Sequence, residues 1–173
     1  TVKFGLLSLY ISNTGPHMHT ADALVNVTPF GFATACRFPL SESVPIASLQ
    51  GAAYEDVDGP LKPFAVMMAQ CMNEMGMALR SRQKSHLGEI VAPCKSALEL
   101  EKRLVEVFPN VFGDSATVPP GAAPPTRVVE LNTKARMAVV DLWRAFPTLR
   151  ARWRDIDAVG AAVDARVVAS ARR

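Results

Sequence analysis

Ala135, Val139, Leu142, Phe146, Leu149, Trp153, Ile156, Gly160, Val163 and Val167 recur at steps that alternate between four and three. That alternation keeps every position on one stripe of an α-helix, and here it runs for more than four heptads. The spacing predicts a helix over roughly 128–170, about 60 Å long at ~1.5 Å per residue. Pro147 interrupts the stripe, but the phase carries through it. A chain reversal would have no reason to keep phase, so the spacing predicts a kink, with Thr148 available to cap a restarted helix.

A second stripe precedes it. Phe64, Met67, Met68, Cys71, Met72, Met75, Ala78 and Leu79 fall on one helical face, with Pro63 in the first turn where its missing N–H costs nothing. After the polar stretch 80–88, Leu87, Val91, Cys94, Leu98, Val105 and Phe108 continue the periodicity, with Glu101 in its one polar slot and Pro93 as a kink or a new start.

Between and before these stripes the chain is rich in breakers. Pro109, Gly113, Pro119, Pro120, Gly121, Pro124 and Pro125 predict a semi-rigid connector over 109–126 without regular structure. Residues 19–61 hold Pro29, Gly31, Pro39, Pro45, Gly51, Gly59 and Pro60, which forbid a long helix. Thr20 can cap a short helix through Val25, a short strand fits within 25–38, and Phe30, Phe32, Ala35 and Phe38 are candidate anchors onto a core. The fold class that follows is mainly α. Two long Pro-kinked helical arms, 62–108 and 127–171, pack as an antiparallel hairpin or helical bundle under an irregular N-terminal strap, with 19–173 forming a single helical domain.

Length and composition narrow the field. At 173 residues the chain is too short for a (β/α)8 barrel, and with 49% apolar and 20% charged residues it can bury a core. Apolar runs such as 4–11 reach about eight residues, whereas a spanning helix needs about 20, so no transmembrane segment is expected. The start of the sequence, residues 1–11, resembles a signal-peptide core without a clear cleavage site. Gly15-Pro16-His17-Met18 matches the remnant of an engineered protease site followed by a restriction site, which marks 1–18 as a candidate fused or tag-derived segment. Three Cys without a C-x-x-C spacing suit a reduced, intracellular and cytoplasmic protein.

Charge is uneven. Net charge is −3 over 1–61, +2 over 62–112 and +4 over 113–173, where nine of the ten bases are Arg. That bias suits an anionic partner but falls short of the dense basic stripe of a nucleic-acid binder.

Motifs for chemistry are sparse. Phosphate-cradling glycine loops and the nucleophile elbow G-x-S-x-G are absent from the sequence. His17-Met18-His19 has a spacing that two metal ligands can use, and Cys36, Cys71 or Cys94 could pair with His86 as a nucleophile. Cys71 and Cys94 lie on apolar stripes, where a thiol is usually inert packing. Glu55, Asp56 and Asp58 lack the spacing of a calcium loop. No catalytic residue, metal ligand or cofactor is therefore expected.

Three functions follow. The first is a non-enzymatic interaction or assembly module that acts as a coiled-coil scaffold with a protein partner. It would self-associate as a homo-oligomer along Val139, Leu142, Phe146, Leu149, Trp153, Ile156 and Val163, and Met67, Met68, Met72 and Met75 would form a partner groove. The second is peripheral binding to an anionic surface, lipid or acidic protein, through Arg144, Arg150 and Arg154, unless Asp141, Asp155 and Asp157 neutralise them. The third is a small metal- or Cys-dependent enzyme.

Overall fold

Prolines and caps, more than the long apolar stripes, decide where each helix begins and ends in the computed structural model, which describes residues 19–49, 53–117 and 128–160. The described residues are mainly α-helical with two short β-hairpins. Their helices are α1 (Ala21–Val25), α2 (Pro29–Cys36), α3 (Lys62–Ser81), α4 (Gly88–Val91), α5 (Ala97–Val107), α6 (Pro109–Phe112), α7 (Thr133–Ala145) and α8 (Pro147–Arg152). Strands β1 (Ser41–Pro45) and β2 (Tyr54–Asp58) form one antiparallel pair, and β3 (Ser115–Thr117) and β4 (Val128–Glu130) the other. The chain divides into two compact units, with the boundary between Arg80 and Ser81. That boundary falls inside the span 62–108 that the sequence groups as one arm.

In the first unit, Thr20 Oγ1 accepts from the Ala23 N–H and opens α1, as its residue type predicts. Residues 25–38 are helical rather than a strand. Thr28 Oγ1 accepts from the Gly31 N–H, and Pro29 fills the first turn of α2, where no amide proton is needed. Helix α3 is the spine of this unit. It buries Ala65, Met68, Ala69, Met72, Met75, Gly76 and Leu79, and its Phe64 meets the Phe32 ring of α2 edge-on at 5.7 Å between centroids. Gly76 admits the α1 backbone, because a Cβ there would stand 2.6 Å from Val25 N and 2.8 Å from Ala21 O. One turn earlier, Asn73 Nδ2 donates to the carbonyls of Leu24, Val25 and Val27 at 2.8–3.0 Å, which ties the C-terminal end of α1 to α3. The β1–β2 pair is almost wholly exposed, with Glu42 opposite Val57 and Val44 opposite Glu55.

In the second unit, Ser96 restarts the helix after Pro93. Its Oγ accepts from the Glu99 N–H, and Glu99 in turn accepts from Lys95 N–H. This cap resets the phase. The buried stripe of α5 is Ala97, Leu100, Glu101, Leu104 and Val107, displaced from the expected Leu98 and Val105. Glu101 is 7% exposed and is matched by Arg136 of α7, whose Nε stands 3.0 Å from its carboxylate. A carboxylate so buried needs such a partner. Pro109 opens α6 rather than a structureless connector, again because a first-turn proline loses no hydrogen bond.

The single helix expected over 127–171 is not present. Strand β4 occupies its start, and Asn132 at φ 49° turns the chain into α7. A residue before proline is driven out of the α region, and Phe146 at φ −117°, ψ 108° ends α7 one residue before Pro147. Helix α8 ends at Trp153, which is also extended, and a short 3-10 turn follows at Ile156–Ala158.

Glu89, at the start of α4, accepts from the hydroxyl and the backbone N–H of Ser85 at 2.6 and 2.8 Å. The Ser85 hydroxyl and then its N–H hold the Glu89 carboxyl down to about 2, helped by Lys84 and His86. A carboxyl depressed on folding adds stability above its unfolded value and loses it as pH falls through the folded value. The urea midpoint of the second unit should therefore fall between about pH 4.5 and about 2. Glu89→Gln should flatten that part of the profile. An unchanged acid slope would show that this cap does not couple to folding.

Candidate functional site

Pro147 sets a break between α7 and α8. Phe146 N donates to Leu142 O at 3.0 Å and closes α7, while Phe146 O accepts from Leu149 N and Arg150 N at 3.0 and 3.2 Å and opens α8. Phe146 thus belongs to both helices, and its ring stays 50% exposed. Arg144 lies in the last turn of α7, and Arg150 and Arg152 lie in the last turn of α8. Cations at helix C-termini gain about 0.3–1 kcal/mol from the helix dipole, which is one reason for their placement.

The acid next to Arg154 in sequence is engaged elsewhere. From Arg144 to Arg154 the sequence holds four Arg and no acid. Asp155 turns away to cap α5, and its two carboxylate oxygens accept from the N–H groups of Ala97 and Leu98 at 2.9 and 3.1 Å. Burial alone would raise the Asp155 carboxyl, but the donated N–H groups outweigh it and hold the group below its ordinary value. Arg152 is spent on structure. Its guanidinium donates to Ala92 O at 3.0 Å and lies 5.9 Å from the Trp153 ring centre. Arg144, Arg150 and Arg154 are exposed, and among the described residues no carboxylate pairs with them.

No family model matches the chain, and no curated protein or solved structure matches it either.

The other residues singled out from sequence are placed as follows. Val139, Leu149 and Trp153 are buried inside the second unit, Leu142 and Ile156 are half-buried, and Phe146 is exposed. Val163 lies outside the described residues. The buried part of the stripe is thus covered by its own unit, so those three side chains do not form an open seam. Trp153, at 1% exposure, donates its Nε1–H to Cys94 O at 3.1 Å. Met68, Met72 and Met75 are core side chains of the first unit, at 1–2% exposure. Of that candidate groove only Met67 is exposed, and with Pro60, Pro63 and Val66 it lines an open cavity of about 500 Å³.

Cys94 donates its thiol to Ile90 O, and burial pushes that thiol up, with Glu99 adding to the rise. A raised, buried thiol is a poor nucleophile. His86 Nε2 stands 4.0 Å from Glu89 Oε1, within the cap of α4. Among the described residues no three His, Cys, Asp or Glu side chains converge as a metal site, and His17 lies outside them. No described helix is long and apolar enough to cross a membrane.

Two features went unread in the sequence. Phe146 counts there as one more member of an apolar stripe, although the Phe-Pro pair signals a break at that residue. The commitment of Asp155 to α5 joins residues 58 apart, and no local pattern reveals it.

Proposed function

We propose that this protein is a non-enzymatic interaction module that docks onto an anionic partner through Arg144, Arg150 and Arg154. The observation that carries this reading is the absence of carboxylate partners for these three exposed arginines among the described residues, with Asp155 consumed by the α5 N-terminus. The expected self-association along Val139, Leu149 and Trp153 has less support, since those side chains are buried within one unit. A Cys-dependent reaction has less support too, since Cys94 is buried and its thiol pKa is raised.

At about 1 kcal/mol for each Arg beside an anionic surface, the three together contribute roughly a hundredfold in affinity. The interaction should weaken as salt shortens the screening length from about 10 Å at 0.1 M to about 3 Å at 1 M.

Net charge alone could imitate such binding, so the test holds it constant. The variant Arg144→Gln, Arg150→Gln, Arg154→Gln removes three positive charges. The control Lys95→Gln, Lys102→Gln, Arg103→Gln removes three others from exposed positions around α5. Binding to a polyanion such as polyglutamate is measured by titration at low and high salt. The first variant should lose at least ~10-fold and the control less than ~3-fold, following the same per-charge estimate. Equal losses would mean that net charge, and not this surface, is responsible.

A further inference from the structure

We infer that Phe146 is an interfacial anchor, so that the anionic partner of this surface is a phospholipid bilayer rather than an acidic protein. The inference rests on the anion-docking reading above and names its partner. Its starting point is the position of the ring. Phe146 is half exposed at the break between α7 and α8, with Arg144 two residues before it and Arg150 one helical turn after it, joined through Arg150 N–H to Phe146 O. An exposed aromatic side chain flanked on both sides by bases has the composition of a segment that lies in the headgroup layer. The ring enters the boundary of the acyl region while the bases meet phosphate and carboxylate headgroups.

The arrangement of the arginines favours a bilayer over a folded acidic partner. Arginine recognises a fixed carboxylate best as a pre-oriented fork, held by packing or by neighbouring hydrogen bonds. Arg152 is held in that way, by Ala92 O and the Trp153 ring, and it is thereby engaged. Arg144, Arg150 and Arg154 are spread over the end of α7, the end of α8 and the turn beyond, and no described polar side chain orients them. Such a diffuse array suits a fluid layer whose headgroups rearrange around it.

Cosedimentation of the full chain with vesicles tests this directly. Vesicles of phosphatidylcholine mixed with phosphatidylserine are compared with phosphatidylcholine alone, and soluble polyglutamate stands in for an acidic protein. The chain should bind the mixed vesicles and not the neutral ones. Phe146→Ser should weaken vesicle binding about tenfold, the scale of half-burying one aromatic ring, and leave polyglutamate binding unchanged. Arg150→Gln should weaken both. Circular dichroism establishes that each variant is folded. Phe146→Trp provides a second reading, since its added fluorescence should be quenched by brominated acyl chains.

Vesicle binding that is unchanged in Phe146→Ser, or a Phe146→Trp signal that brominated lipid does not quench, would overturn the anchor. Polyglutamate binding without vesicle binding would overturn the bilayer and leave the anion-docking reading standing. Binding to neither would overturn both.

Discussion

Replacing Trp153 by Ala should destabilise the second unit by about 3–5 kcal/mol, the range for truncating a large buried aromatic side chain. The indole is 1% exposed, and it also donates to Cys94 O at 3.1 Å, where the chain turns from α4 toward α5. Its removal leaves both a cavity and an unsatisfied buried carbonyl. Trp153→Phe separates the two effects. It keeps most of the ring and loses the donor, at an expected cost of about 1–3 kcal/mol. Chemical unfolding followed by far-ultraviolet circular dichroism avoids reliance on the indole signal. A Trp153→Ala midpoint close to that of the wild type would contradict the placement of this residue at the centre of the unit.

Gly76→Ala should destabilise the first unit by about 1–3 kcal/mol, as overpacking does in a filled core. In an exposed helix the same change would gain up to about 1 kcal/mol of helix propensity. The sign is reversed here because the new methyl meets α1 at 2.6 Å from Val25 N, 2.7 Å from Val25 Cγ2 and 2.8 Å from Ala21 O. Two of those atoms belong to the backbone and cannot rotate away. The chain must instead lift α1 from α3, which also strains the bonds from Asn73 to the Leu24, Val25 and Val27 carbonyls. Thermal melts of wild type and variant decide the matter. A stabilised Gly76→Ala protein would mean that α1 does not pack against α3 as described.

Local chemistry made some of this legible. Helical spacing identified α3 and most of its buried face, because apolar side chains three and four residues apart share one side of a helix. Thr20 and Pro63 marked helix starts through hydrogen bonds that span only a few residues. The arginines 144, 150 and 154 stood out as a basic group from composition alone. Their lack of partners among the described residues did not, since Asp155 sits next to Arg154 in sequence and is the obvious neutraliser. Its carboxylate is instead drawn to the N–H groups of Ala97 and Leu98.

Periodicity misled where it crossed a break. The four-three spacing through 135–167 looks like one helix, yet in its described part α7 ends at Phe146 and α8 ends at Trp153, and both of those residues are extended. Buried positions still fall on the stripe at Val139, Leu149 and Trp153, because each short helix turns its own apolar side inward. On α5 the buried face keeps Glu101 but replaces Leu98 and Val105 with Ala97, Leu100, Leu104 and Val107.

The sequence by itself determined the mainly α class, the helix starts at capping residues and prolines, and the concentration of arginine toward the C-terminal end. These depend on backbone geometry and on neighbours within a turn or two. Only the tertiary structure decided which side chains remain available to a partner. It enclosed Met68, Met72 and Met75 in one unit and Val139, Leu149 and Trp153 in the other, matched Glu101 with Arg136, and diverted Asp155 from its arginines. Burial and charge pairing are settled by contacts between residues far apart in the chain, and local spacing carries no record of them.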